Sequence, residues 1–456
     1  MQKNKSILIT TPIYYPSGKR HIGTFHTSVL ADFYARAFSL LEYEVFLSTG
    51  TDEHGDKVYN YVISNSKEID DSHEIVMNFL NEEYLQFKKL ANDSYVKYDR
   101  FIRTTHEDHE KAVKIIWNVL LKKGFIYKDI YEGFYSYREE RFIPTNELEK
   151  YKDEVVSLKS ECYFLRISEF RDFIIDLYEN NNVSNQLNLY KAYMNFDNLC
   201  ISRNNTKWGI DVPNDSTQKI YVWFDALINY LTVIGFPVMK KYNKTLHIIG
   251  KDISIFHGIY WPIILHMLNI EVKNRYLLVH NWWLDNNENK VSKSFKNSKT
   301  IQELIDSYGV DAIRFFVIFH NLTHCDMIFQ EENIVNTYNN FLVNKFSNLV
   351  HRIFSIIYKN NLYIMCNENH QLPINFIEQL ESSIEKYDLR SYVNILFKWC
   401  DTLNEYIETN RVWNDLDKCL MIAEEINLLY KYFIPIIPSL KDKGKHKPLF
   451  IHIQLQ

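Results

Sequence analysis

Short β-branched runs alternate with amphipathic segments in the first part of the chain. The run from Ser6 to Tyr14 predicts a strand, and apolar residues at helical spacing predict a helix from about Thr24 to Leu41. The run from Glu44 to Thr51 predicts a second strand, followed by a helix that begins near Lys57. A strand, a helix and a strand in this order predict a parallel sheet, which binds ligands at the carboxyl ends of its strands.

The pattern changes twice farther along the chain. Between about Lys111 and Leu199 it loosens into short helices and aromatic-rich strands, which predicts an insertion. Three later runs have strand character, and we assign them to the second half of the same sheet: Lys219–Phe224, Leu246–Ile249 and Tyr276–Val279. After about Ile301 the period is helical, with long amphipathic runs at Asn333–Tyr358, Ile374–Thr409 and Leu416–Tyr432.

These patterns predict an α/β protein that closes with a bundle of helices. We expect a Rossmann-type parallel sheet in residues 1–320, an insertion within it at about 113–215, and an all-α domain in residues 321–456. The length of 456 residues allows two or three domains that each bury a core of their own.

Composition and charge narrow the class of protein. With 24% charged residues and no apolar run of about eighteen residues, the chain is not expected to span a membrane. The net charge of −5 gives no overall attraction to nucleic acid, although a local basic surface could still bind phosphates. Six scattered cysteines form no CxxC pair, and the first residues lack the pattern of a secretion leader. We therefore expect reduced thiols and a cytoplasmic location.

The turn after the first predicted strand carries candidate chemistry. His21, Gly23 and Thr24 lie where a helix begins, and a helix N-terminus offers unpaired N–H groups and a partial positive charge to phosphates. Gly23 lets a nucleotide approach the backbone, and His21 can donate to phosphate oxygens. On its own this short pattern is better explained by a histidine that caps an ordinary turn.

A second candidate is the polar loop at about 285–300, which contains Lys290, Ser292 and Lys293. Two lysines interleaved with hydroxyls can hold a polyphosphate and neutralise a pyrophosphate that leaves. A solvated loop of lysines and serines is the usual meaning of such a pattern when it stands alone.

Together and in this order, the two segments resemble the class I aminoacyl-tRNA synthetases, whose motifs are written HIGH and KMSKS. Here they read HIGT and KVSKS. From about Ile7 to Ile453 the chain is similar to the methionyl-tRNA synthetase family, with blocks such as TTPIYYPSG, FLSTGTDEHGDKV, YVWFDALINY and IIGKDISIFHGIYWP. The resemblance implies that the insertion is a connective-peptide domain and that the helical bundle binds the anticodon.

The resemblance implies ATP-dependent ligation of L-methionine to tRNA(Met) through methionyl-adenylate, with release of AMP and pyrophosphate. Mg²⁺ would accompany ATP, and catalysis would consist of positioning and of stabilising phosphate charge. The implied catalytic residues are His21, Thr24, Lys290 and Lys293. The implied ATP contacts are His21, Gly23, Thr24, Gly250, Asp252, Lys290, Ser292 and Lys293, where Gly250 lets the ribose approach and Asp252 accepts its hydroxyls.

A methionine pocket is implied as well. Aromatic walls suit a thioether because sulfur packs well at ring edges. Asp52 would hold the α-ammonium by a charge-assisted hydrogen bond, a role compatible with capping the next helix. The other implied pocket residues, each of which would read as ordinary core without the family, are Ile13, Tyr15, Trp223, Ala226, Tyr230, His257 and Trp261.

The implied anticodon residues lie in the bundle. Asn348 and Arg352 are one helical turn apart, and Trp413 could stack on an unpaired base. A polar stripe on a bundle helix would explain the first two residues without the family.

Three departures from the family pattern lead to separate expectations. Thr24 replaces the second histidine of the first motif and cannot carry charge, so we expect slower formation of the adenylate, while His26 should point to another helix face. The KVSKS loop lacks its usual flanking glycines. Cys162 is the only cysteine between Tyr135 and Arg166, where the family's zinc knuckle often has pairs of cysteines. Four thiolate ligands are therefore lacking, and neither structural zinc nor another protein metal site is expected.

One alternative function stays open, and another is disfavoured by the sequence. A catalytically impaired tRNA-binding paralogue of the same fold would also keep much of the pattern. A class I ligase for leucine, isoleucine or cysteine would need a large editing insertion or a cysteine-type zinc site, and neither is visible. A monomer that binds no membrane is the simplest expectation.

Overall fold

The computed structural model describes residues 5–18, 20–66, 72–136, 141–143, 148–149, 155–180, 194, 196–204, 206–291, 299–362, 375–445 and 448–455. Its strands are β1 (Ser6–Tyr14), β2 (Glu44–Thr51), β3 (Arg100–Arg103), β4 (Ile126–Ser136), β5 (Arg141–Ile143), β6 (Val155–Leu165), β7 (Leu199–Cys200), β8 (Ser202–Asn204), β9 (Asp211–Val212), β10 (Asp215–Ile220), β11 (Lys244–Gly250), β12 (Arg275–His280), β13 (Trp283–Leu284) and β14 (Met327–Ile328).

The α-helices are α1 (Ile22–Leu40), α2 (Asp56–Asn65), α3 (Ser72–Asp93), α4 (Glu107–Lys122), α5 (Arg171–Asn180), α6 (Val222–Thr232), α7 (Trp261–Met267), α8 (Ile301–Tyr308), α9 (Val310–His320), α10 (Glu331–Thr337), α11 (Asn348–Lys359), α12 (Phe376–Glu385), α13 (Leu389–Thr409) and α14 (Leu416–Phe433). Two π-helical segments, Phe256–Tyr260 and Tyr338–Ser347, and several 3₁₀ turns connect them.

A five-stranded parallel sheet in the order β12-β11-β1-β2-β3 forms the centre of the molecule. The first strand is buried along most of its length, as expected for a strand covered by helices on both faces. The strand order reverses between β1 and β11, and ligands of such sheets bind outside the carboxyl ends of the strands at that point. The predicted α/β class is confirmed.

The end of β1 departs from regular pairing with β2. Thr10 pairs with Ser48, but the next recorded pair is Ile13 with Gly50, so the register shifts between them. Pro12 lies within this irregularity and cannot donate to the ladder. The shift occurs at the carboxyl edge of the sheet, where the site described below is built.

Two antiparallel sheets lie in the described part of the chain between β3 and β11, together with α4, α5 and α6. Strands β4 to β7 form one sheet in the order β5-β4-β6-β7, and β8 to β10 form a second in the order β8-β10-β9. The prediction that Lys219–Phe224 is a strand of the central sheet is wrong. The chain leaves β10 at Ile220 and enters α6 at Val222, so the aromatic residues of this run begin a buried helix.

The helical bundle packs against one face of the central sheet. A single apolar cluster contains Ile7 of β1, Phe33 of α1, Phe315 of α9 and Phe433 of α14. The amphipathic run predicted at Ile374–Thr409 contains α12 and α13, which are separated where Tyr387 has a positive φ of 56° and Asp388 caps α13 by accepting from the Ser391 amide at 3.0 Å. Within the described ranges no helix has the length and apolar character needed to cross a membrane.

One buried ion pair joins α1 to α9. Arg314 is completely buried, and its Nη2 donates to Asp32 Oδ2 at 2.6 Å. Its Nη1 donates to the Ser94 carbonyl at 2.8 Å, and its Nε donates to the Ile436 carbonyl at 3.2 Å. This guanidinium therefore satisfies acceptors from both sides of the contact between the sheet layer and the bundle.

Candidate active site

A cavity of about 370 Å³ opens at the carboxyl ends of β1, β2, β11 and β12. Residues from distant parts of the sequence meet here because parallel strands bring their carboxyl ends to one edge. The predicted site residues that line it are Ile13, Tyr15, His21, Gly23, Thr24, Asp52, Trp223, Ala226, Tyr230, Gly250, Asp252, His257 and Lys290.

Among the described residues predicted to contact ATP or methionine, Trp261 does not line this cavity. Trp261 is fully buried, and its ring centre lies 5.6 Å from that of Tyr230, so it supports a wall residue instead of forming the wall. Ser292 and Lys293 lie outside the residues that the structure describes.

The turn before α1 is closed by His21. Its Nδ1 accepts the Gly23 amide proton at 3.1 Å, which makes His21 the N-cap of the helix. In the neutral ring the proton therefore lies on Nε2, the nitrogen that can donate to a ligand. A Cβ at Gly23 would lie 3.0 Å from the His21 ring, so a larger residue would disturb this cap.

Thr24 and His26 face different surroundings, as the sequence predicted. Thr24 lines the cavity, whereas His26 is completely buried and accepts from Trp283 Nε1 at 3.2 Å. Burial and the nearby His280 lower the pKa of His26 well below its ordinary value. His26 is therefore a neutral packing residue and does not supply the charge that Thr24 lacks.

Asp252, which follows β11, forms an ion pair with Lys290 from a later loop. Lys290 Nζ donates to Asp252 Oδ2 at 2.8 Å, and Trp282 Nε1 donates to Asp252 Oδ1 at 3.1 Å. Burial alone would raise the pKa of Asp252, but Lys290 and Trp282 hold it below its ordinary value, so the carboxyl is ionised. A Cβ at Gly250 would lie 2.7 Å from Asp252 Oδ1, which explains why glycine precedes this acid.

Asp52 follows β2 and is 3% exposed. Its amide donates to the Tyr14 carbonyl at 2.9 Å, which extends the pairing of β1 and β2 to the cavity wall. Trp223 forms another part of the wall and stacks on Phe256 with ring centres 4.0 Å apart. The cavity thus combines a buried carboxylate with flat aromatic surfaces.

Tyr230 and His257 form a hydrogen-bonded pair in the same wall. His257 lies in the π-helical segment, and its Nδ1 is 3.0 Å from the Ile253 carbonyl, so this nitrogen carries the proton. Its Nε2 then accepts from the Tyr230 hydroxyl at 2.7 Å. Burial lowers the pKa of His257 to about 4, so the imidazole is neutral near pH 7.

A buried network behind the cavity was not foreseen from the sequence. Asp225 of α6 lies 2.7 Å from His54 Nδ1 and 2.6 Å from His109 Nε2. Burial alone would raise the pKa of Asp225, but the two histidines lower it to about 2. Burial also opposes the charge of His54, yet Asp225 raises the pKa of His54 above its ordinary value. The network fixes the loop that carries Asp52 to α4 and α6.

The buried histidines predict a loss of stability in acid. Burial lowers the pKa of four buried histidines, His26, His247, His257 and His280, and of two half-buried ones, His106 and His320. The unfolded chain binds protons near pH 6.5 while these folded groups do not, so their stabilisation is lost as the pH falls below 6.5. His54 acts in the opposite direction, because its raised pKa favours the folded state at low pH, but it is one group against six.

We therefore expect the free energy of unfolding to fall by at least about 3 kcal/mol between pH 7 and pH 5. Urea titrations followed by tryptophan fluorescence at the two pH values measure this difference. Equal or greater stability at pH 5 would contradict the neutral state assigned to these histidines.

Metal ligands are sparse in the described part of the chain. No group of three or more histidine, cysteine, aspartate or glutamate side chains is arranged to hold a metal ion there. Cys162 and Cys200 are both buried in the insertion, and Arg203 Nη1 lies 3.2 Å from Cys200 Sγ. The absence of structural zinc stays a prediction.

The bundle presents a second polar surface. Asn348 and Arg352 of α11 line a shallow depression together with Lys345, Asn404 and Glu408. Arg352 Nη2 donates to Glu408 Oε1 at 2.7 Å. A neighbouring depression is lined by Arg352 and Trp413, whose side chain is 43% exposed. The three residues predicted to contact an anticodon therefore share one side of the bundle.

Comparisons with known proteins identify the family. The chain matches the family described as tRNA synthetases class I (M) over residues 7–153 and 149–354. A methionine–tRNA ligase of Rickettsia conorii is 33% identical over 99% of this chain and 95% of the relative. The chain belongs to the methionine–tRNA ligase family. Another member, from Ureaplasma parvum, is 34% identical over 91% of this chain and 84% of its own length.

The fold of the family is seen in a solved relative. The Mycobacterium tuberculosis methionyl-tRNA synthetase in complex with methionyl-adenylate superposes with a TM-score of 0.85 at 27% identity. The match covers 96% of this chain and 93% of that structure. The predicted resemblance is confirmed, and neither a ligase for another amino acid nor an impaired paralogue receives support from these matches.

Proposed function

We propose that the chain, as a member of this family, activates L-methionine with ATP in the cavity and then transfers the methionyl group to tRNA(Met). The observation that carries the proposal is the meeting of three groups at one cavity. They are the buried carboxylate of Asp52, the capped turn of His21 and Thr24, and the paired Asp252 and Lys290. This arrangement suits an amino acid and a nucleotide bound side by side.

Asp52 is proposed to hold the α-ammonium of methionine by a charge-assisted hydrogen bond. The side chain of methionine then lies against the aromatic surfaces of Tyr15 and Trp223, with Ile13 and Ala226 completing the pocket and Trp261 supporting Tyr230 from behind. The neutral pair of Tyr230 and His257 faces the pocket without a net charge, which favours an uncharged thioether over a charged side chain.

Adenylate formation is proposed to proceed by in-line displacement. The methionine carboxylate attacks the α-phosphorus of ATP, the bond to the bridging oxygen breaks, and pyrophosphate leaves with both electrons of that bond. His21 Nε2 and the Thr24 hydroxyl donate to phosphate oxygens beside the start of α1, while Gly23 leaves room for the nucleotide. Mg²⁺ enters as part of the ATP complex, held by its phosphates.

The ion pair of Asp252 and Lys290 is proposed to separate when ATP binds. The ribose hydroxyls then donate to Asp252 next to Gly250, and Lys290 turns to the phosphates together with Ser292 and Lys293. The pair therefore keeps the Asp252 carboxylate ionised and places both side chains close to their substrates beforehand.

The second step uses the adenylate as the donor. A ribose hydroxyl at the end of the tRNA attacks the methionyl carbonyl carbon, and AMP leaves. The bundle residues Asn348, Arg352 and Trp413 are proposed to bind the anticodon, since unpaired bases stack on aromatic rings and expose their edges to polar groups.

Replacement of Trp413 by alanine tests the anticodon assignment. Loss of one stacked base costs about 1–3 kcal/mol, so the KM for tRNA should rise roughly 10-fold or more in Trp413→Ala. Tyr358→Ala is the matched control, because Tyr358 is 68% exposed on α11 and lines neither depression. Aminoacylation kinetics with varied tRNA measure the effect, and an unchanged KM in Trp413→Ala would remove this residue from the interface.

Aminoacylation tests the whole proposal. The purified chain with ATP, Mg²⁺, radiolabelled methionine and tRNA(Met) should give acid-precipitable methionyl-tRNA, and elongator tRNAs for other amino acids should give none. A chain that binds tRNA(Met) without charging it would overturn the proposal in favour of a binding function. The monomeric state and the cytoplasmic location stay predictions.

A further inference from the structure

The cavity wall contains a cationic side chain that the sequence analysis did not identify. Arg20 directly precedes His21 and lines the cavity with it. Its guanidinium carbon lies 4.4 Å from the centre of the Phe87 ring, which lines the cavity as well. The Arg20 carbonyl accepts from the Ile301 amide at 3.1 Å, so this part of the turn is tied to α8.

Arg20 is held in place but keeps an unused donor. Its Nη2 donates to Glu83 Oε2 at 2.7 Å and approaches the Glu83 carbonyl at 3.4 Å. Its Nε is buried and has no acceptor among the residues that the structure describes. A buried guanidinium donor is costly unless an acceptor is supplied, and a ligand in the adjoining cavity can supply one.

The two lysines of the described cavity wall contact other groups before ATP binds. Lys290 donates to Asp252, and Lys57 lies 5.2 Å from the centre of the Tyr15 ring at the pocket proposed for methionine. Thr24 offers a hydroxyl without charge. Arg20 is therefore the described cation that adjoins His21 and the start of α1.

We propose that Arg20 binds the β- and γ-phosphates of ATP and stabilises the pyrophosphate that leaves, while Glu83 holds its guanidinium in position. The inference rests on the proposed function, because it takes the His21 turn as the phosphate end of the cavity. A phosphate oxygen accepts from Nε in a charge-assisted hydrogen bond. Arginine suits this position because its guanidinium stays charged when half-buried.

Equilibrium binding to Arg20→Gln tests the inference without requiring turnover. Inorganic tripolyphosphate and AMP are titrated separately in a calorimeter, each against the wild-type chain and the variant. We expect tripolyphosphate to bind about 10- to 100-fold more weakly to Arg20→Gln, the range for a lost charge-assisted hydrogen bond. AMP, which lacks the β- and γ-phosphates, should bind within twofold of wild type.

Arg100→Gln is the matched control. Arg100 also pairs with a carboxylate, that of Asp108, but does not line the cavity. The Arg100→Gln variant should bind both tripolyphosphate and AMP with the affinity of the wild type. Equal tripolyphosphate affinity in Arg20→Gln and wild type would overturn the inference, and an equal loss for AMP and tripolyphosphate would show a structural role and overturn it too.

Kinetics separate this inference from the proposed function. Arg20→Gln should lower kcat/KM for ATP by a similar factor and leave the KM for methionine within twofold. Absence of methionine-dependent exchange in the wild type would count against the proposed function, whereas the tripolyphosphate titration would still decide the role of Arg20.

Discussion

Asp52→Asn is expected to lower kcat/KM for methionine roughly 100-fold, or by about 2.7 kcal/mol. Asparagine keeps the size of the side chain but removes the negative charge, so the α-ammonium of methionine would be bound in a buried position without a counter-ion. The KM for ATP should change by less than about threefold, because the proposed ATP contacts lie elsewhere in the cavity. Methionine-dependent ATP–pyrophosphate exchange at varied methionine concentration measures both constants.

Asp56→Asn is the matched control for this prediction. Asp56 lies four residues away at the start of α2, where it accepts from the Lys207 amide at 3.0 Å and from the Thr206 hydroxyl at 3.2 Å. It does not line the cavity, so its exchange kinetics should stay near those of the wild type. If Asp52→Asn and Asp56→Asn had the same kcat/KM for methionine, Asp52 would not be the group that holds the α-ammonium.

Arg314→Met should lower the free energy of unfolding by about 3 kcal/mol, the lower end of the usual cost of breaking a buried ion pair from one side. The substitution removes the donor to Asp32 and leaves the carbonyls of Ser94 and Ile436 without it. Arg36 Nε still donates to Asp32 at 2.8 Å, which limits the loss to the lower part of the range for a fully isolated charge. Urea unfolding followed by circular dichroism measures the difference.

Arg352→Met provides the comparison for stability. Arg352 pairs with Glu408 at 2.7 Å, but the two side chains are 38% and 61% exposed. Exposed pairs contribute about 0–1 kcal/mol, so this variant should unfold close to the wild type. A loss below about 1 kcal/mol in Arg314→Met would mean that the contact between α1 and α9 does not depend on this guanidinium.

Much of the central sheet could be predicted from the sequence because its strands have a simple signature. Buried β-branched runs at Ser6–Tyr14 and Glu44–Thr51 end directly in polar or glycine-rich turns, and the structure has strands with the same bounds. The carboxyl ends of such strands meet at one edge, so a ligand site could be predicted there, and the family resemblance assigned Asp52, Gly250 and His21 to it.

Other features could not be read from the sequence because they depend on tertiary contacts. The run Lys219–Phe224 has strand composition, but Val222 and Trp223 begin a helix whose buried position overrides local preference. The contacts of Asp225 with His54 and His109 join residues 171 and 116 positions apart, and no local pattern encodes them. Trp261 was placed in the pocket by resemblance, whereas the structure puts it behind Tyr230.

Arg20 illustrates the same limit at the active site. In the sequence it is one basic residue in a polar turn, and its neighbour His21 carries the recognisable motif. Only the fold brings Glu83 and Phe87 of α3 against it and leaves its Nε facing no acceptor among the described residues. The role proposed for Arg20 therefore rests on tertiary contacts that no local motif encodes.

The most direct test of the central claim is ATP–pyrophosphate exchange by the purified chain with single amino acids. We expect rapid exchange with L-methionine and only background exchange with leucine, isoleucine or cysteine. Absence of exchange with methionine, or faster exchange with one of the other three, would contradict the proposed activation of methionine.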